Sequence, residues 1–194
     1  MIDRVSLLTI SDNTLYHAII YACTIEEASM HMNMKQTVKA AVLFCILVAA
    51  DLSTKAFAVQ VLEDGRHVEL IHGVLEFYYI QNRGAAFGIF QNGTVILSFI
   101  SLIALILLIV LYFRVPAHKK YLPLRIVLIF IAAGAAGNLI DRVLLHYVRD
   151  FIYFSLIDFP VFNVADIYVT CSVFVLAYLI MFYYKEEDLE FLGR

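Results

Sequence analysis

Long runs of apolar residues alternate with shorter polar connections along this chain. Four segments are nearly free of charge: Val38 to Leu62, Thr94 to Phe113, Ile126 to Leu145 and Val164 to Tyr184. Each is close to the roughly 20 residues that an α-helix needs to cross about 30 Å of hydrocarbon. A backbone in lipid must satisfy its own hydrogen bonds, so segments of this length are predicted to be helices. The pattern predicts an all-α integral membrane protein with four transmembrane helices.

The composition supports this prediction and narrows the possible partners. Hydrophobic residues make up 62% of the 194 residues, against roughly 45–50% in soluble globular proteins. The formal net charge is −3 and there is no long basic run, so we expect membrane lipid and no nucleic acid as partners. Cys23, Cys45 and Cys171 are scattered and odd in number, which indicates neither a disulfide framework nor a metal cluster.

The distribution of basic residues predicts the orientation in the membrane. Cytoplasmic loops retain an excess of lysine and arginine. One set of helix ends carries Lys35, Lys39, Arg114, Lys119, Lys120, Arg125, Lys185 and Arg194. The opposite connections, 63–93 and 146–163, carry only Arg66, Arg83 and Arg149. Both termini are therefore predicted to be cytoplasmic, with residues 185–194 as a cytoplasmic tail.

The connection 63–93 contains the stretch HVELIHGVLEFYYIQN, in which apolar and polar residues partly alternate. This alternation predicts short strands, with turns at Gly65 and Gly73. The aromatic residues of the connection suit a membrane interface; they are Phe77, Tyr78, Tyr79, Phe87 and Phe90. The prediction is a small extracytoplasmic β-rich cradle between helices 1 and 2, and a mobile aromatic loop is the alternative.

Residues 1–33 differ from the rest in their mixed polarity and lack of a helical stripe. We expect an N-terminal extension, either an over-called start or a lineage-specific addition, before a four-helix unit of residues 34–184. Met34 and Lys35 open a short basic region directly before the first apolar segment. That region also resembles a cleaved secretory signal, but apolar residues resume after Lys55, which favours an uncleaved span.

Charged residues inside the first apolar segment need partners. Asp51 and Lys55 of DLSTK are separated by four positions, so both project from one helical face and can pair. Ionisable residues within membrane segments are expensive and usually face a protein interior, a partner or water. The alternative is that DLSTK marks the end of the helix and that Lys55 snorkels to the surface.

The third apolar segment ends in GAAGNLIDRV, where Asn138, Asp141 and Arg142 share one helical face. Gly134 and Gly137, with the alanines around them, make this helix thin and permit close packing against its neighbours. The polar residues of this face either join neighbouring helices through polar contacts or support a functional site.

Two acids lie at the same predicted membrane boundary: Asp150 in VRDF and Asp166 in FNVAD, which also contains Asn163. A short loop joins their segments, so the carboxylates are predicted to converge. Two such groups can share one proton, and one then activates water while the other protonates or polarises a carbonyl. Solvated loop acids are the alternative.

Other chemistries have less support in the sequence. HExxH, GxSxG and Walker A motifs are absent, and His67 and His72 fit a solvated loop better than a metal site. A small proton- or cation-coupled carrier remains an alternative because carriers also use intramembrane acids. No internal repeat supports it. A noncatalytic membrane scaffold is the third hypothesis.

Five motifs in order, DLSTK, NRGAAFG, GNLIDR, VRDF and FNVAD, resemble the motif series of the prokaryotic lipoprotein signal peptidases, or signal peptidase II, over residues 34–184. The resemblance implies an aspartic endopeptidase of the bacterial inner membrane, with its active site on the extracytoplasmic side. It implies prolipoprotein substrates, cleaved just before a diacylglyceryl-modified cysteine, and no metal or other cofactor.

Motif matching also implies the site residues. The catalytic positions are Asp150 and Asp166. The substrate-binding or supporting positions are Asp51, Lys55, Asn82, Gly84, Gly134, Asn138, Asp141, Arg142 and Asn163. Arg149 departs from the family pattern, which often has an apolar residue there, and the connection between the two catalytic positions is somewhat short. The resemblance therefore gives Arg149 no role.

Overall fold

Four apolar helices form the framework of the computed structural model, which describes residues 34–84 and 93–193. The helices are α1 (Met34–Leu62), α2 (Gly93–Arg114), α3 (Leu122–Leu145) and α4 (Val164–Tyr178), and α4 continues into a π-helical turn, Leu179–Tyr183. By length and composition all four are long and apolar enough to cross a membrane. The predicted four helices are confirmed, while residues 1–33, Phe87 and Phe90 lie outside the described residues.

The helices begin slightly earlier than the apolar runs. α1 starts at Met34 rather than Val38, and α3 at Leu122 rather than Ile126. Lysine and glutamine are good helix formers, so a helix extends beyond the apolar stretch that identifies it. Pro123 lies in the first turn of α3, where a missing backbone N–H is tolerated. α3 ends at His146, whose left-handed φ of 65° terminates the helix.

A four-stranded antiparallel sheet lies between the helix ends in the order β1-β2-β3-β4. The strands are β1 (Val68–Ile71), β2 (Leu75–Asn82), β3 (Val148–Phe154) and β4 (Phe159–Phe162). The strands predicted in the first connection are confirmed. The short connection predicted between α3 and α4 also contains strands that were not predicted, because β3 and β4 form there by pairing with β2 and with each other.

The helix α3 occupies the centre of the bundle and packs against α1, α2 and α4. Its Gly134 faces the first turns of α4 so closely that an added Cβ would lie 2.5 Å from the Ala165 carbonyl oxygen and 2.7 Å from Val169 Cγ2. A Cβ on Gly137 would collide with the Asp51 side chain of α1. The small residues of α3 therefore set the separation of three helices, as small residues commonly do in membranes.

Gly134→Ala tests this close approach. We expect a lower unfolding temperature in detergent, because overpacking costs about 1–3 kcal/mol and the gain in helix propensity is at most about 1 kcal/mol. The Ala165 carbonyl is backbone and has little freedom to move. Gly193→Ala is the control, because its Cβ would find only the Glu190 carbonyl oxygen, at 3.7 Å. Equal unfolding temperatures for parent and Gly134→Ala would contradict the packing argument.

Candidate active site

Asn163 brings the two predicted catalytic aspartates together. Its side-chain Nδ2 donates to Asp150 Oδ1 at 2.6 Å, and Asp150 itself is buried on β3. Its Oδ1 accepts from the backbone N–H of Asp166 at 3.1 Å, while Asp166 Oδ2 accepts from the Asn163 backbone N–H at 3.1 Å. This reciprocal pair is a capping box that begins α4. One helix cap therefore holds both acids in one site.

Two further amides complete the surroundings of the acids. Asn82 Nδ2 donates to Asp150 Oδ2 at 2.8 Å, and Asn138 Nδ2 donates to Asp166 Oδ1 at 2.8 Å. Asn82 is itself held by the backbone N–H of Gly84, which donates to its Oδ1 at 2.9 Å. Gly84 has a φ of 84°, a conformation that glycine adopts without strain. The acids thus face preorganised donors from β2, α3 and the start of α4.

Burial raises the pKa of Asp150 to about 6. The hydrogen bond from Asn82 acts in the opposite direction because it stabilises the carboxylate, and the negative charge of Asp166 adds to the increase. Asp150 lies on β3, outside the membrane-spanning helices, and it retains its proton at mildly acidic pH.

A fully buried ammonium lies behind the acids. Lys55 Nζ is 2.8 Å from Asp51 Oδ2, 2.8 Å from Asn138 Oδ1 and 3.5 Å from Asp141 Oδ2. The other oxygen of Asp51 accepts from the backbone N–H of Ala165 at 2.9 Å. The predicted pair of Asp51 and Lys55 is therefore present, and the alternative of a snorkelling Lys55 is wrong, since both side chains are 0% exposed.

Asp141 pairs with a residue that sequence reasoning left unexplained. Arg149 Nη2 is 2.6 Å from Asp141 Oδ1, and the Arg149 backbone N–H donates to Asp141 Oδ2 at 3.1 Å. The neighbouring Arg142 points elsewhere, and its Nη1 donates to Ser101 Oγ at 3.3 Å. Arg149 lies eight positions beyond Asp141 and past the end of a helix, so no helical periodicity relates the two residues. The indication available in the sequence was that Asp141, an acid within an apolar segment, still lacked a cationic partner.

Comparisons with known proteins place the chain in a family. Residues 43–182 match the family model described as Signal peptidase (SPase) II. The chain belongs to the signal peptidase II family. It is 40% identical to the lipoprotein signal peptidase of Clostridium novyi over 134 residues, which cover 68% of this chain and 89% of that protein. The Clostridium tetani protein is 39% identical over 143 residues, covering 72% and 88%.

Two solved structures resemble the fold of this signal peptidase II. Both are described as bacterial membrane enzymes solved by the in meso method. The structure at 1.9 Å resolution has a TM-score of 0.67 and 28% identity, covering 80% of this chain and 99% of that one. The structure at 2.3 Å resolution has a TM-score of 0.62 and 30% identity, covering 74% and 87%.

A cavity of about 320 Å³ opens beside Asp166 in this peptidase, between α2, α3 and α4. Asn138, Arg142 and Asp166 supply its charged and amide groups at one end. The remaining lining is mostly small or aliphatic; it consists of Ile100, Ser101, Ala104, Leu108, Ile131, Gly134, Ala135, Val169 and Thr170. An apolar chain or small side chains fit such a cavity, with a polar backbone group directed at Asp166.

The two histidines of the first connection lie apart from this chemistry. His72 Nδ1 is 2.6 Å from Glu69 Oε2, and His67 stacks on Tyr78 with ring centroids 4.7 Å apart. Within residues 34–84 and 93–193, no group of three or more His, Cys, Asp or Glu side chains is arranged to hold a metal ion. The histidines are accounted for by local contacts on the sheet.

Lys55→Met tests the buried ammonium. The substitution leaves two buried carboxylates with one fewer cation, and removing one partner of a buried ion pair costs about 3–5 kcal/mol. We expect a large decrease in the free energy of unfolding in detergent. Lys185→Met is the matched control, because Lys185 and Glu187 form a pair whose side chains are 78% and 70% exposed. Equal losses in the two variants would contradict a special role for Lys55.

Proposed function

We propose that this protein removes signal peptides from prolipoproteins as an aspartic endopeptidase, with Asp150 and Asp166 as the catalytic pair. Cleavage falls just before a cysteine that carries diacylglycerol. The observation that supports this proposal most directly is that both carboxylates accept hydrogen bonds from Asn163, in a chain of the signal peptidase II family. The Asn163 side chain donates to Asp150 at 2.6 Å, and its backbone N–H donates to Asp166 at 3.1 Å.

The two acids are proposed to have different roles. Asp150, whose pKa is raised to about 6, holds the shared proton and donates it to the oxygen of the scissile carbonyl. Asp166 accepts a proton from the attacking water, and the resulting tetrahedral species collapses when the leaving amine is protonated. The amides of Asn82, Asn138 and Asn163 keep both carboxyl groups aimed at one point.

Arg142 is proposed to position the substrate. It lines the cavity with Asn138 and Asp166, and among the described contacts its side chain donates only to Ser101. A guanidinium in this place can bind a peptide carbonyl or stabilise developing oxyanion charge, as preorganised donors do. The apolar part of the cavity then receives side chains of the signal peptide or the lipid of the modified cysteine.

The site is proposed to face the extracytoplasmic side, with both termini in the cytoplasm. The connection between α2 and α3 and the C-terminal segment meet through Lys120 and Asp188, whose side chains are 2.6 Å apart. That end of the bundle carries most of the basic residues, which is typical of the cytoplasmic face. The sheet belongs to the opposite connections, where the lipid of a prolipoprotein would hold the scissile bond close to the membrane surface.

The carrier hypothesis has less support. Asp51 and Asp141 are each paired with a cation, so neither is a free carboxylate along a transport path. The family match also favours a peptidase over a carrier. A noncatalytic scaffold would tolerate Asp150→Asn.

Asp150→Asn and Asp166→Asn should each abolish cleavage of a diacylglyceryl-modified prolipoprotein by the purified protein, with losses of about a thousandfold or more because proton transfer is removed. Unfolding temperatures should remain close to that of the parent. Asp158→Asn is the control, because this acid lies on the same connection but is exposed, and asparagine tolerates its left-handed φ of 51°. Full activity in either dyad variant would overturn the catalytic assignment.

The pKa of Asp150 predicts the shape of the pH profile. As the pH rises through about 6 the proton on Asp150 is lost, so kcat/KM should fall through this range in the free enzyme. Bound substrate excludes water and disfavours the charged form, so the corresponding limb of kcat should lie at higher pH. Initial cleavage rates in detergent micelles at several substrate concentrations separate the two limbs. A kcat/KM that rises through this pH range would contradict the assignment of the shared proton to Asp150.

A further inference from the structure

Arg149 is held by a single carboxylate through both its main chain and its side chain. Its guanidinium Nη2 is 2.6 Å from Asp141 Oδ1, its Nε is 3.2 Å from both Asp141 oxygens, and its backbone N–H donates to Oδ2 at 3.1 Å. The Asp141 side chain is 1% exposed and that of Arg149 is 16% exposed. A pair with this geometry is strongly directional, because a guanidinium fork matches a carboxylate.

The ion pair between Arg149 and Asp141 determines which acceptors receive the three hydrogen bonds that the Lys55 ammonium can donate. Lys55 lies 2.8 Å from Asp51 but 3.5 Å from Asp141, whose close cation is Arg149 instead. Lys55 therefore retains a donor for Asn138 Oδ1, at 2.8 Å. Without Arg149, the buried Asp141 carboxylate would attract Lys55 away from that amide oxygen.

Lys55 shares the orientation of Asn138 with one other donor: Asn138 Oδ1 accepts from Lys55 Nζ at 2.8 Å and from Asn163 Nδ2 at 3.1 Å. With its Oδ1 bound to Lys55, the amide must present Nδ2 to the other side, where it donates to Asp166 Oδ1 at 2.8 Å. A rotated amide would place an oxygen against the Asp166 carboxylate and repel it. Arg149 thus influences Asp166 through three intermediate side chains, those of Asp141, Lys55 and Asn138.

Arg149 also anchors the strand that carries Asp150. It directly precedes Asp150 on β3, and its backbone N–H is bonded to Asp141 at the last turns of α3. In the β2–β3 register, Arg149 lies opposite Gln81 and Asp150 opposite Ile80. This hydrogen bond fixes the position of Asp150 along the axis of α3, the helix that carries Asn138.

We propose that Arg149 is a positioning residue of the peptidase: by neutralising Asp141 it lets Lys55 orient Asn138 toward Asp166 and holds β3 so that Asp150 faces the same point. This inference rests on the proposed catalytic roles of Asp150 and Asp166. In this proposal, Arg149 does not contact the reacting atoms and acts through Asp141.

The charged groups around Arg149 and Asp141 predict how the removal of Arg149 changes the pH dependence of the enzyme. The groups that face Asp141 and the two proposed catalytic acids are Asp51 and Lys55 from α1, Arg142 from α3 and Arg149 itself from β3. The phenol of Tyr79 from β2 lies near Arg149. Removal of Arg149 leaves Asp141 with only the more distant Lys55, which already serves Asp51. The added negative charge makes ionisation of a nearby carboxyl harder, so the singly protonated pair persists to higher pH.

The first test is Arg149→Gln in the full chain, assayed with a diacylglyceryl-modified prolipoprotein. We expect kcat to fall on the order of tenfold with KM little changed, since misplaced catalytic groups slow the chemical step. The alkaline limb of kcat/KM should move up by about one pH unit. Arg149→Lys keeps the charge, so the limb should stay in place and part of kcat should return.

Arg66→Gln is the matched control. Arg66 pairs with Asp64 at 2.6 Å, but the two side chains are 67% and 52% exposed, so the same change of charge should leave kcat and the pH profile unaltered. The position of a pH limb does not depend on the fraction of enzyme that is folded. A shifted limb in Arg149→Gln is therefore informative even if part of that preparation is inactive.

A double-mutant cycle tests the route through Asp141. In an Asp141→Asn background, Arg149→Gln should have little further effect on kcat/KM, because the charge that Arg149 neutralises is already gone. Independent losses that simply add would overturn the inference.

The dyad variants separate the two proposals. If Asp150→Asn and Asp166→Asn lose cleavage while Arg149→Gln keeps the parent kcat and pH profile, the role of Arg149 is wrong and the proposed function stands. Cleavage retained in Asp150→Asn or Asp166→Asn would overturn the proposed catalytic roles of these acids, and the inference on Arg149 with them.

Discussion

The ammonium of Lys55 is the contact on which the rest of this structure depends. It is fully buried in α1 and uses its donors on Asp51, Asn138 and Asp141, so it joins α1 to two turns of α3. Asp51 in turn holds the first turn of α4 through the Ala165 N–H. Transfer of such charges out of water is unfavourable by several kcal/mol per ion unless the geometry is good. The three helices are therefore held in an arrangement that keeps this ammonium next to the carboxylates of Asp51 and Asp141.

The membrane setting explains why polar residues carry this task. Lipid tails are as apolar as leucine, so helix association in a bilayer relies on close packing and on hydrogen bonds rather than on the hydrophobic effect. Gly134 and Gly137 provide the close approach, and Lys55 and Asp51 provide the polar contacts. The same contacts orient Asn138 toward Asp166. Bundle assembly and preorganisation of the proposed site thus use one set of interactions, which is why site residues are found within spanning helices.

Local features of this fold were predictable from sequence, and distant pairings were not. The helices follow from segment length, and the pair of Asp51 and Lys55 follows from a four-residue spacing on one helix. Strand β3 was missed because its pairing with β2 joins residues 68 positions apart, as in the contact of Asn82 with Asp150. The partner of Asp141 was missed for the same reason, since Arg149 follows a helix end that redirects the chain.

The candidate site itself was predicted mainly through the resemblance of five motifs. Physical reasoning on the residues could place Asp150 and Asp166 at one membrane boundary, but spacing alone did not bring them onto Asn163. That contact requires the capping box of α4 and the pairing of β3 with β2, both of which form only in the folded chain.

The charges of the site also limit how many protons its acids bind. Among the described residues, four carboxylates (Asp51, Asp141, Asp150 and Asp166) lie with three cations (Lys55, Arg142 and Arg149). Two of the cations each bind one structural acid closely, and Arg142 faces the proposed catalytic pair. The cluster is neutral only when one proton is shared among its acids, and a poorly solvated cluster favours neutrality. Because Lys55 and Arg149 neutralise Asp51 and Asp141, that proton is left to Asp150 and Asp166, the pair proposed to be catalytic.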